Sequence, residues 1–525
     1  MAKRKRKSPA EDATALAEPT LVKKSKSTPE AKKATESPTI DTEPETIQIV
    51  VGSYDHALHG LTARVEGEQV AFADTFLFNA HRSAIRCVAV SPPSAPAPGQ
   101  TQKVLLASGS TDERVNIYNL SAHPPSRKNK NQDLLAKVAP RPILENSKNK
   151  ELGTLFHHTS NITALQFPTR SKLLTSSEDS TIAVTRTRDW SVLSTIKAPI
   201  PKPQGRPSGD TAPFGGTPSG VNDFAIHPSM KVMISVSKGE RCMRLWNLVT
   251  GKKAGVLGFE RAMLQEIGES RHSTGEGRRV TWGSVDGDEE FAVGFDRDIV
   301  VFGMDSVPRC RLMHGIRTKV HQFAYIPVGD DAEGGLSLLA VATEDGRILF
   351  FSTRAGDLAA VPRSETNGKT TTSTAAAAAA SSLPVAKLIG FVGGNADGVT
   401  GRIKDMAVIA SVASKDVLYL VGASSDGRVR LWLVRKKLLR ERAQAKDTAK
   451  GENKKEQHQH QQQLGKLLGV YETQNRITCV ASYLMIPRPE GAEDSEDEGD
   501  EEDDAGGDAS DSDSGSDSGS EDGDA

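Results

Sequence analysis

Short apolar segments, most of them rich in β-branched residues, recur along the chain between about residues 45 and 487. They are five to eight residues long, and Gly, Asp, Ser and Pro separate them. TIQIVVGS, AIRCVAVS, KVLLASGS, KVMISVS and DVLYLVGAS are examples. Many short apolar runs between turn-forming residues are typical of β-strands. The pattern therefore predicts an all-β fold.

A frame of seven residues recurs within this pattern: it opens on an acidic residue and most often closes on an aromatic one. A strand-like segment precedes each acid and alternating apolar residues follow it, so the acid is expected in the turn between two strands. Successive frames lie 49 to 81 residues apart, and their acids are Asp55, Asp112, Asp179, Glu240, Asp296, Asp345 and Asp426. Five frames close on an aromatic residue, namely Tyr118, Trp246, Phe302, Phe351 and Trp432. Seven copies in register indicate a repeat architecture.

The best copies of the frame are STDERVNIYNL (110–120), GERCMRLWNL (239–248) and SSDGRVRLWLV (424–434). They resemble the WD-repeat family of β-propellers. That resemblance implies a single seven-bladed propeller over residues 45–487, with four antiparallel strands in each blade. RITCVASYLMI (476–486) is expected to be the innermost strand of the first blade. Both ends of the propeller would then meet in one blade and close the ring.

The turn acids have a structural interpretation that needs no catalysis. A short carboxylate in a turn can accept backbone N–H groups and fix the turn. The resemblance further implies that one acid joins a hydrogen-bonded set with a His, a Ser and the closing aromatic residue. That set is expected at His81, Ser108, Asp112 and Tyr118, and is expected to be incomplete in the other blades.

Two arginines, Arg428 and Arg430, follow the last turn acid, Asp426. Arg430 is expected to lay its aliphatic stem over the neighbouring blade. Arg428 follows the turn directly, and it is a candidate contact for a partner because arginine is enriched at interface hot spots. A solvated strand surface is the alternative for Arg428.

The charges are distributed unevenly along the chain. The whole chain carries −2, residues 1–40 carry +5 and residues 490–525 carry −18, so residues 41–489 carry +11. Both ends have the composition of disordered segments, which predicts a basic N-terminal segment over 1–44 and an acidic tail over 488–525. Ser495 in the tail is a candidate phosphorylation site, and a purely solubilising tail is the alternative. A compact basic run predicts nuclear import and consists of Lys3, Arg4, Lys5, Arg6 and Lys7.

Polar insertions between the strand-like segments are expected near 121–150, 200–219, 259–277, 353–384 and 435–463. The first and last are basic, and the composition of RKKLLRERAQAK (435–446) favours a helix. Their positive charges suit contact with RNA phosphates, and a solvated charged loop is an equal alternative. The candidate contacts there are Arg127, Lys128, Lys130, Arg435, Lys436 and Lys437.

Other candidate chemistry is sparse. Four cysteines lie far apart and no metal-binding spacing of Cys and His occurs, which predicts a reduced intracellular protein without metal or cofactor. No Ser/His/Asp, HExxH or paired-carboxylate arrangement stands out, so we expect no enzyme. No apolar stretch approaches the length of a membrane span, so no membrane association is expected.

The order of the strand-like segments resembles one particular family among the WD-repeat proteins. IQIVVGSYDHALHGL, then FLFNAHRSAIRCVAVS, then LLASGSTDERVNIYNL is similar to the WD-repeat ribosome-assembly factors whose animal relatives are called p21-activated-kinase-interacting proteins. The resemblance implies a nucleolar protein that matures the large ribosomal subunit by binding assembly factors and ribosomal proteins. It also leaves open a second hypothesis, an adaptor that restrains a protein kinase.

Overall fold

The computed structural model describes residues 44–97, 100–125, 143–146, 148–201, 219–269, 273–313, 315–316, 318–329, 335–360, 382–445 and 463–488. These residues form seven antiparallel sheets of four strands each, arranged as the blades of a β-propeller. The predicted fold class is confirmed. None of the helices among these residues is long and apolar enough to cross a membrane.

The strands follow one another blade by blade. Blades 1 to 3 contain Glu45–Ser53 (β1), Ala57–Glu66 (β2) and Gln69–Asn79 (β3); Ile85–Val90 (β4), Lys103–Ser110 (β5), Val115–Ser121 (β6) and Lys150–Leu155 (β7); and Ile162–Thr169 (β8), Lys172–Ser177 (β9), Thr181–Arg186 (β10) and Val192–Lys197 (β11). Blades 4 and 5 contain Val221–Ile226 (β12), Val232–Ser237 (β13), Cys242–Asn247 (β14) and Lys252–Gly258 (β15); and Arg279–Val285 (β16), Asp288–Gly294 (β17), Ile299–Gly303 (β18) and Pro308–Arg311 (β19). Blades 6 and 7 contain Val320–Pro327 (β20), Ser337–Thr343 (β21), Arg347–Ser352 (β22) and Lys387–Gly393 (β23); and Ile403–Ala410 (β24), Val417–Ser424 (β25), Arg428–Arg435 (β26) and Lys466–Glu472 (β27). The last strand, Ile477–Leu484 (β28), returns to blade 1.

The ring closes as the sequence predicts. Strand β28 pairs antiparallel with β1 from Ile47 opposite Leu484 to Ser53 opposite Ile477. Blade 1 therefore takes its innermost strand from the end of the propeller and its other three strands from the beginning. This pairing covers the edge of β1, which would otherwise be open to other strands.

The apolar core is divided among the interfaces between neighbouring blades. A cluster of buried residues lies between each successive pair of blades, and helix residues join two of these clusters. Middle strands bury both faces, and all eight residues of β25 are buried, whereas outer strands such as β11 are mostly exposed. This explains why the middle strands read as unbroken apolar runs rather than as alternating patterns.

Three insertions return to the outer edge of the preceding blade. Each leaves its blade after the third strand and donates a backbone N–H to the outermost strand of the blade before it. The donor–acceptor distances are 2.7 Å from Leu144 to Asp74, 2.9 Å from Ala386 to Arg311 and 2.7 Å from Leu464 to Phe391. These segments cover the edges of blades 1, 5 and 6, where unpaired backbone groups would otherwise face solvent.

Among the described residues, two α-helices lie within the predicted insertions. Lys436–Gln444 (α2) follows β26 directly, which confirms the helix expected there, and its Leu439 and Ala443 are buried against blades 6 and 7. Arg261–Glu266 (α1) lies in the insertion that the sequence analysis treated as polar. That description was incomplete, because Met263 and Leu264 are buried in the interface between blades 4 and 5. Single-turn 3₁₀ segments occur at Ala355–Asp357 and Asn395–Asp397.

Candidate functional site

All seven frame acids lie between the second and third strands of their blades. Because the strands are antiparallel, these turns share one face of the ring with the connections between successive blades. We call this face the turn face. Asp179 and Asp426 fix their turns by accepting the backbone N–H of Thr181 at 2.8 Å and of Arg428 at 3.0 Å. These are the hydrogen bonds expected of a structural turn residue.

The predicted hydrogen-bonded set is assembled in blade 2. His81 Nδ1 lies 3.1 Å from one carboxylate oxygen of Asp112, and His81 Nε2 lies 2.8 Å from Ser108 Oγ. Burial lowers the pKa of His81, so the neutral ring donates to Asp112 and accepts from Ser108. Tyr118 closes the frame as a buried residue, and burial raises its pKa to about 12.

Blade 3 holds part of a second such set. His158 Nδ1 lies 3.0 Å from Asp179, and its Nε2 lies 2.7 Å from the hydroxyl of Thr175. Threonine replaces the expected serine, and Thr185 stands where the aromatic residue would be. The set of blade 3 is therefore incomplete, as expected, because no aromatic residue closes it, although the threonine hydroxyl makes the hydrogen bond expected of a serine.

Blades 4 and 7 replace the histidine by an arginine on the third strand. Arg430 is 1% exposed, and its Nη2 donates to Asp426 at 3.0 Å and to the carbonyl oxygen of Gly398 at 2.9 Å. Arg244 pairs in the same way with Glu240, to which both of its terminal nitrogens, Nη1 and Nη2, donate. The expected packing of its stem over the neighbouring blade stays a prediction for Arg430. Its charged group is buried, and the turn acid balances that charge.

The closing aromatic residues are structural. Trp246 Nε1 donates to Ser235 at 2.8 Å, and Trp432 Nε1 donates to Asp397 in the connection between blades 6 and 7, also at 2.8 Å. Phe302 and Phe351 are buried in the interfaces of blade 5 with its neighbours.

The three remaining acids contact cations or backbone on the turn face. Asp55 accepts the N–H of Arg476 at 3.1 Å, and Asp345 lies 3.8 Å from Arg347. Asp296 lies within 3.7 Å of three different basic groups, those of Arg278, Arg297 and Lys319.

The structure describes only some of the residues that the sequence suggests as partner contacts. Arg428 is half-buried, with its side chain 39% exposed and 4.0 Å from Glu472 at the rim. Arg435 and Lys437 are exposed at the start of α2, and Lys436 is half-buried. The remaining candidates lie outside the described residues, namely Lys3, Arg4, Lys5, Arg6, Lys7, Arg127, Lys128, Lys130 and Ser495. Their roles stay predictions.

The innermost strands line a central channel with a cavity of about 200 Å³. Arg279 faces this cavity with its guanidinium 3.8 Å from Asp223, and Asp405 lies on the same lining. Burial raises the pKa of Asp405 to about 6 and that of the Cys87 thiol to about 12. A thiol with so high a pKa is a poor nucleophile. Among the residues that the structure describes, no three potential metal ligands cluster.

His321 on β20 is expected to make the protein less stable at mildly acidic pH. Burial lowers its pKa to about 4, and Lys404 adds to that effect, whereas an unfolded histidine titrates near 6.5. Between these values the unfolded chain binds a proton that the folded chain does not, so stability falls as the pH falls. We expect a lower melting temperature at pH 5 than at pH 7.

A His321→Gln variant tests the contribution of this residue. It should lose less melting temperature between pH 7 and pH 5 than the unaltered protein loses. Asp405 is present in both proteins and cancels in the comparison, although its raised pKa acts in the opposite direction. Identical pH profiles for the two proteins would refute this role of His321.

Comparisons with known proteins agree with this geometry. The family described as "WD domain, G-beta repeat" matches residues 149–184, which run from β7 into β10. Protein MAK11 of Saccharomyces cerevisiae is 28% identical over 409 residues, which cover 73% of this chain and 77% of that protein. A p21-activated protein kinase-interacting protein 1-like protein of Xenopus laevis is 29% identical over 210 residues, 40% of this chain and 42% of its own length. Shk1 kinase-binding protein 15 of Schizosaccharomyces pombe is 24% identical over 211 residues, 40% of this chain and 46% of that protein.

Proposed function

Because this chain belongs to the WD-repeat proteins that include Protein MAK11 and the p21-activated protein kinase-interacting protein 1-like proteins, we propose that it is a non-catalytic scaffold in the maturation of the large (60S) ribosomal subunit. The match with Protein MAK11 across 73% of the chain, together with the closed ring of seven blades, carries this proposal. The ribosomal role itself comes from the resemblance in the order of segments along the sequence.

The chemistry of the turn face supports binding rather than catalysis. The frame acids are engaged by backbone N–H groups, by His81 and His158, or by arginines that they neutralise. A carboxylate held in such contacts has little freedom to act as a general acid or base. The scaffold would therefore act through its exposed surfaces.

The proposed partners are pre-60S assembly factors, ribosomal proteins and ribosomal RNA. A body of net charge +11 between residues 41 and 489 suits partners that carry negative charge. The basic run Lys3 to Lys7 would direct the protein to the nucleus, and the nucleolus is the compartment in which it would work.

A second candidate function is suggested by the names of two relatives. The Xenopus laevis protein is named for interaction with a p21-activated protein kinase, and the Schizosaccharomyces pombe protein is named for binding the Shk1 kinase. This chain would then be an adaptor that binds and restrains such a kinase. Its propeller surface can serve either role, because neither requires catalysis by the chain itself.

Rapid depletion of the protein in its own cells tests the ribosomal role. We expect precursors of the large-subunit RNA to accumulate and mature large subunits to decline within a few generations, while small subunits persist. Re-expression of the full chain should restore the ratio. Unchanged precursors and unchanged large subunits after depletion would refute the proposal.

A purified system tests the kinase role separately. The full chain is titrated against a p21-activated-type kinase, and phosphorylation of a model substrate is measured. Inhibition that saturates as the chain is added would support the adaptor function. Undiminished phosphorylation at saturating chain would rule it out without affecting the ribosomal proposal.

A further inference from the structure

An arc of basic side chains lies on the turn face, beside the mouth of the central channel. It runs from blade 5 through blades 6 and 7 to blade 1, because each connection between blades and each inner-strand start contributes a residue there. We call it the basic arc, and it consists of Arg278, Arg297, Lys319, Arg402, Lys404 and Arg476.

The carboxylates near the basic arc do not balance its charge. Asp296 is shared among three cations, since Arg278 lies 3.0 Å from it, Arg297 3.6 Å and Lys319 3.7 Å. Glu344 pairs with Arg402 at 3.1 Å, and Asp55 accepts the backbone N–H of Arg476. Glu269 adds a fourth carboxylate, since it accepts the backbone N–H of Asp296 at 3.3 Å. Six cations thus face four carboxylates, which leaves a local charge of +2.

Lys404 lies at the centre of this imbalance. It is half-buried on the innermost strand of blade 7, and it forms no ion pair with another residue that the structure describes. Burial lowers its pKa, and the positive charges of Arg402 and Arg476 lower it further. His321 beside it is neutral at pH 7, because its pKa is lowered to about 4. Glu344 offsets part of this charge, and the folded chain keeps a net positive potential here, which a bound anion would relieve.

The charges inside the central channel, below the basic arc, are balanced. Arg279 there faces two carboxylates, those of Asp223 at 3.8 Å and of Asp405. The charge inside the channel is thus compensated by the protein itself, whereas the charge at its mouth is not. The unbalanced positive potential is a property of the surface that a large anionic partner can reach.

An exposed aromatic ring stands at one end of the arc. Tyr54 is 56% exposed on the turn of blade 1, and the guanidinium carbon of Arg476 lies 5.5 Å from the centre of its ring. Basic groups next to an exposed aromatic ring are the elements with which proteins hold single-stranded nucleic acid, since phosphates contact the cations and a base stacks on the ring. An acidic peptide would use the cations and leave the ring without a stacking partner.

We propose that the basic arc binds the phosphates of single-stranded RNA and that Tyr54 stacks on one of its bases. This inference rests on the proposed function, because RNA is the abundant polyanion of a pre-ribosomal particle. It also places the RNA contact on the turn face instead of on the basic insertions that the sequence suggested.

Binding of a fluorescent, unstructured oligouridine of about 12 nucleotides to the full chain tests the proposal. The triple variant Lys319→Ala, Arg402→Ala, Lys404→Ala should bind at least about tenfold more weakly at physiological salt, and its salt dependence should be shallower by about two units of log–log slope. Tyr54→Ala should weaken binding by about fivefold or more, with the salt dependence unchanged.

A matched variant controls for the loss of three positive charges. Lys172 and Lys252 are exposed at the starts of β9 and β15, and Lys415 is exposed in the turn before β25, all on the opposite face; replacing all three by alanine removes the same net charge. This control should bind RNA within about twofold of the unaltered chain. Melting temperatures verify folding, and the arc variant should melt within a few degrees of the control, because the ion pairs that it loses, Lys319 with Asp296 and Arg402 with Glu344, are exposed and contribute little stability.

Two results would overturn the proposal. One is equal loss of RNA binding in the arc and control variants, which would indicate attraction by net charge alone. The other is binding of a peptide with the sequence of residues 490–525 to the arc, without RNA binding, which would identify an acidic protein segment as the occupant. Neither result affects the depletion experiment, so the ribosomal role can stand or fall independently.

Discussion

A chain that ends after Gln474 is expected to lose cooperative thermal unfolding, because it lacks the strand that closes the ring. That truncation removes β28, which pairs with β1 along its whole length. It also removes Ile477, Val480 and Cys479 from the apolar interfaces that blade 1 forms with blades 7 and 2. The exposed edge of β1 would then be open to pairing with other chains. Calorimetry should show no sharp transition, and sedimentation should show aggregation.

A second truncation provides the control. A chain that ends after Arg488 loses the acidic tail and keeps β28 intact. Its melting temperature should lie within a few degrees of that of the full chain, since the described propeller ends before the tail. If the chain that ends after Gln474 also unfolded cooperatively, at the same temperature as the full chain, closure of the ring by β28 would be contradicted.

Replacing Asp426 by alanine is expected to lower the free energy of unfolding by about 3–5 kcal/mol. Loss of the turn hydrogen bond to the N–H of Arg428 alone would cost only about 1 kcal/mol. The larger value follows because the guanidinium of Arg430 is 1% exposed and would lose its carboxylate partner. Urea denaturation of the purified variant measures the difference.

Two further variants distinguish the buried pair from the turn. Asp345→Ala removes the equivalent acid of blade 6, whose partner Arg347 is 3.8 Å away and partly exposed, so about 1 kcal/mol or less should be lost. Asp426→Ala combined with Arg430→Met should recover much of the stability, because no charge stays buried. If Asp426→Ala abolished partner binding at an unchanged melting temperature, the residue would be a contact and its structural role would be refuted.

The architecture was predictable because it is repeated. Seven acids in register indicated seven turns, and each lies in the turn that the frame predicts. The closure by residues 476–486 was predictable too, since that apolar segment followed the seventh frame without a blade of its own. Repetition supplied the signal that any one copy, such as the frame of Asp55, was too weak to give.

Features that depend on contacts between distant residues were not predictable. The choice of His158 as the partner of Asp179, and the use of Leu144 to cover the edge at Asp74, depend on how neighbouring blades approach. Likewise, Lys404 and Arg476 meet only because the ring brings the starts of two innermost strands together. The sequence of one strand does not show which residues of distant strands lie next to it in the folded chain.

The burial of Arg430 shows the same limit at short range. Its position in an alternating strand assigned it to one face of the blade, and that part of the interpretation was sound. The alternation does not reveal that the neighbouring connection places the carbonyl oxygen of Gly398 within 2.9 Å of the guanidinium. This contact, with the pair to Asp426, makes full burial of the charge tolerable.

The most direct test of the scaffold role is affinity purification of the full chain from its own cells, with and without RNase, followed by identification of the co-purifying proteins. The scaffold account predicts that assembly factors of the large subunit are recovered in both samples, since the propeller binds them as proteins. Recovery of a protein kinase without any ribosomal factor, in either sample, would contradict it.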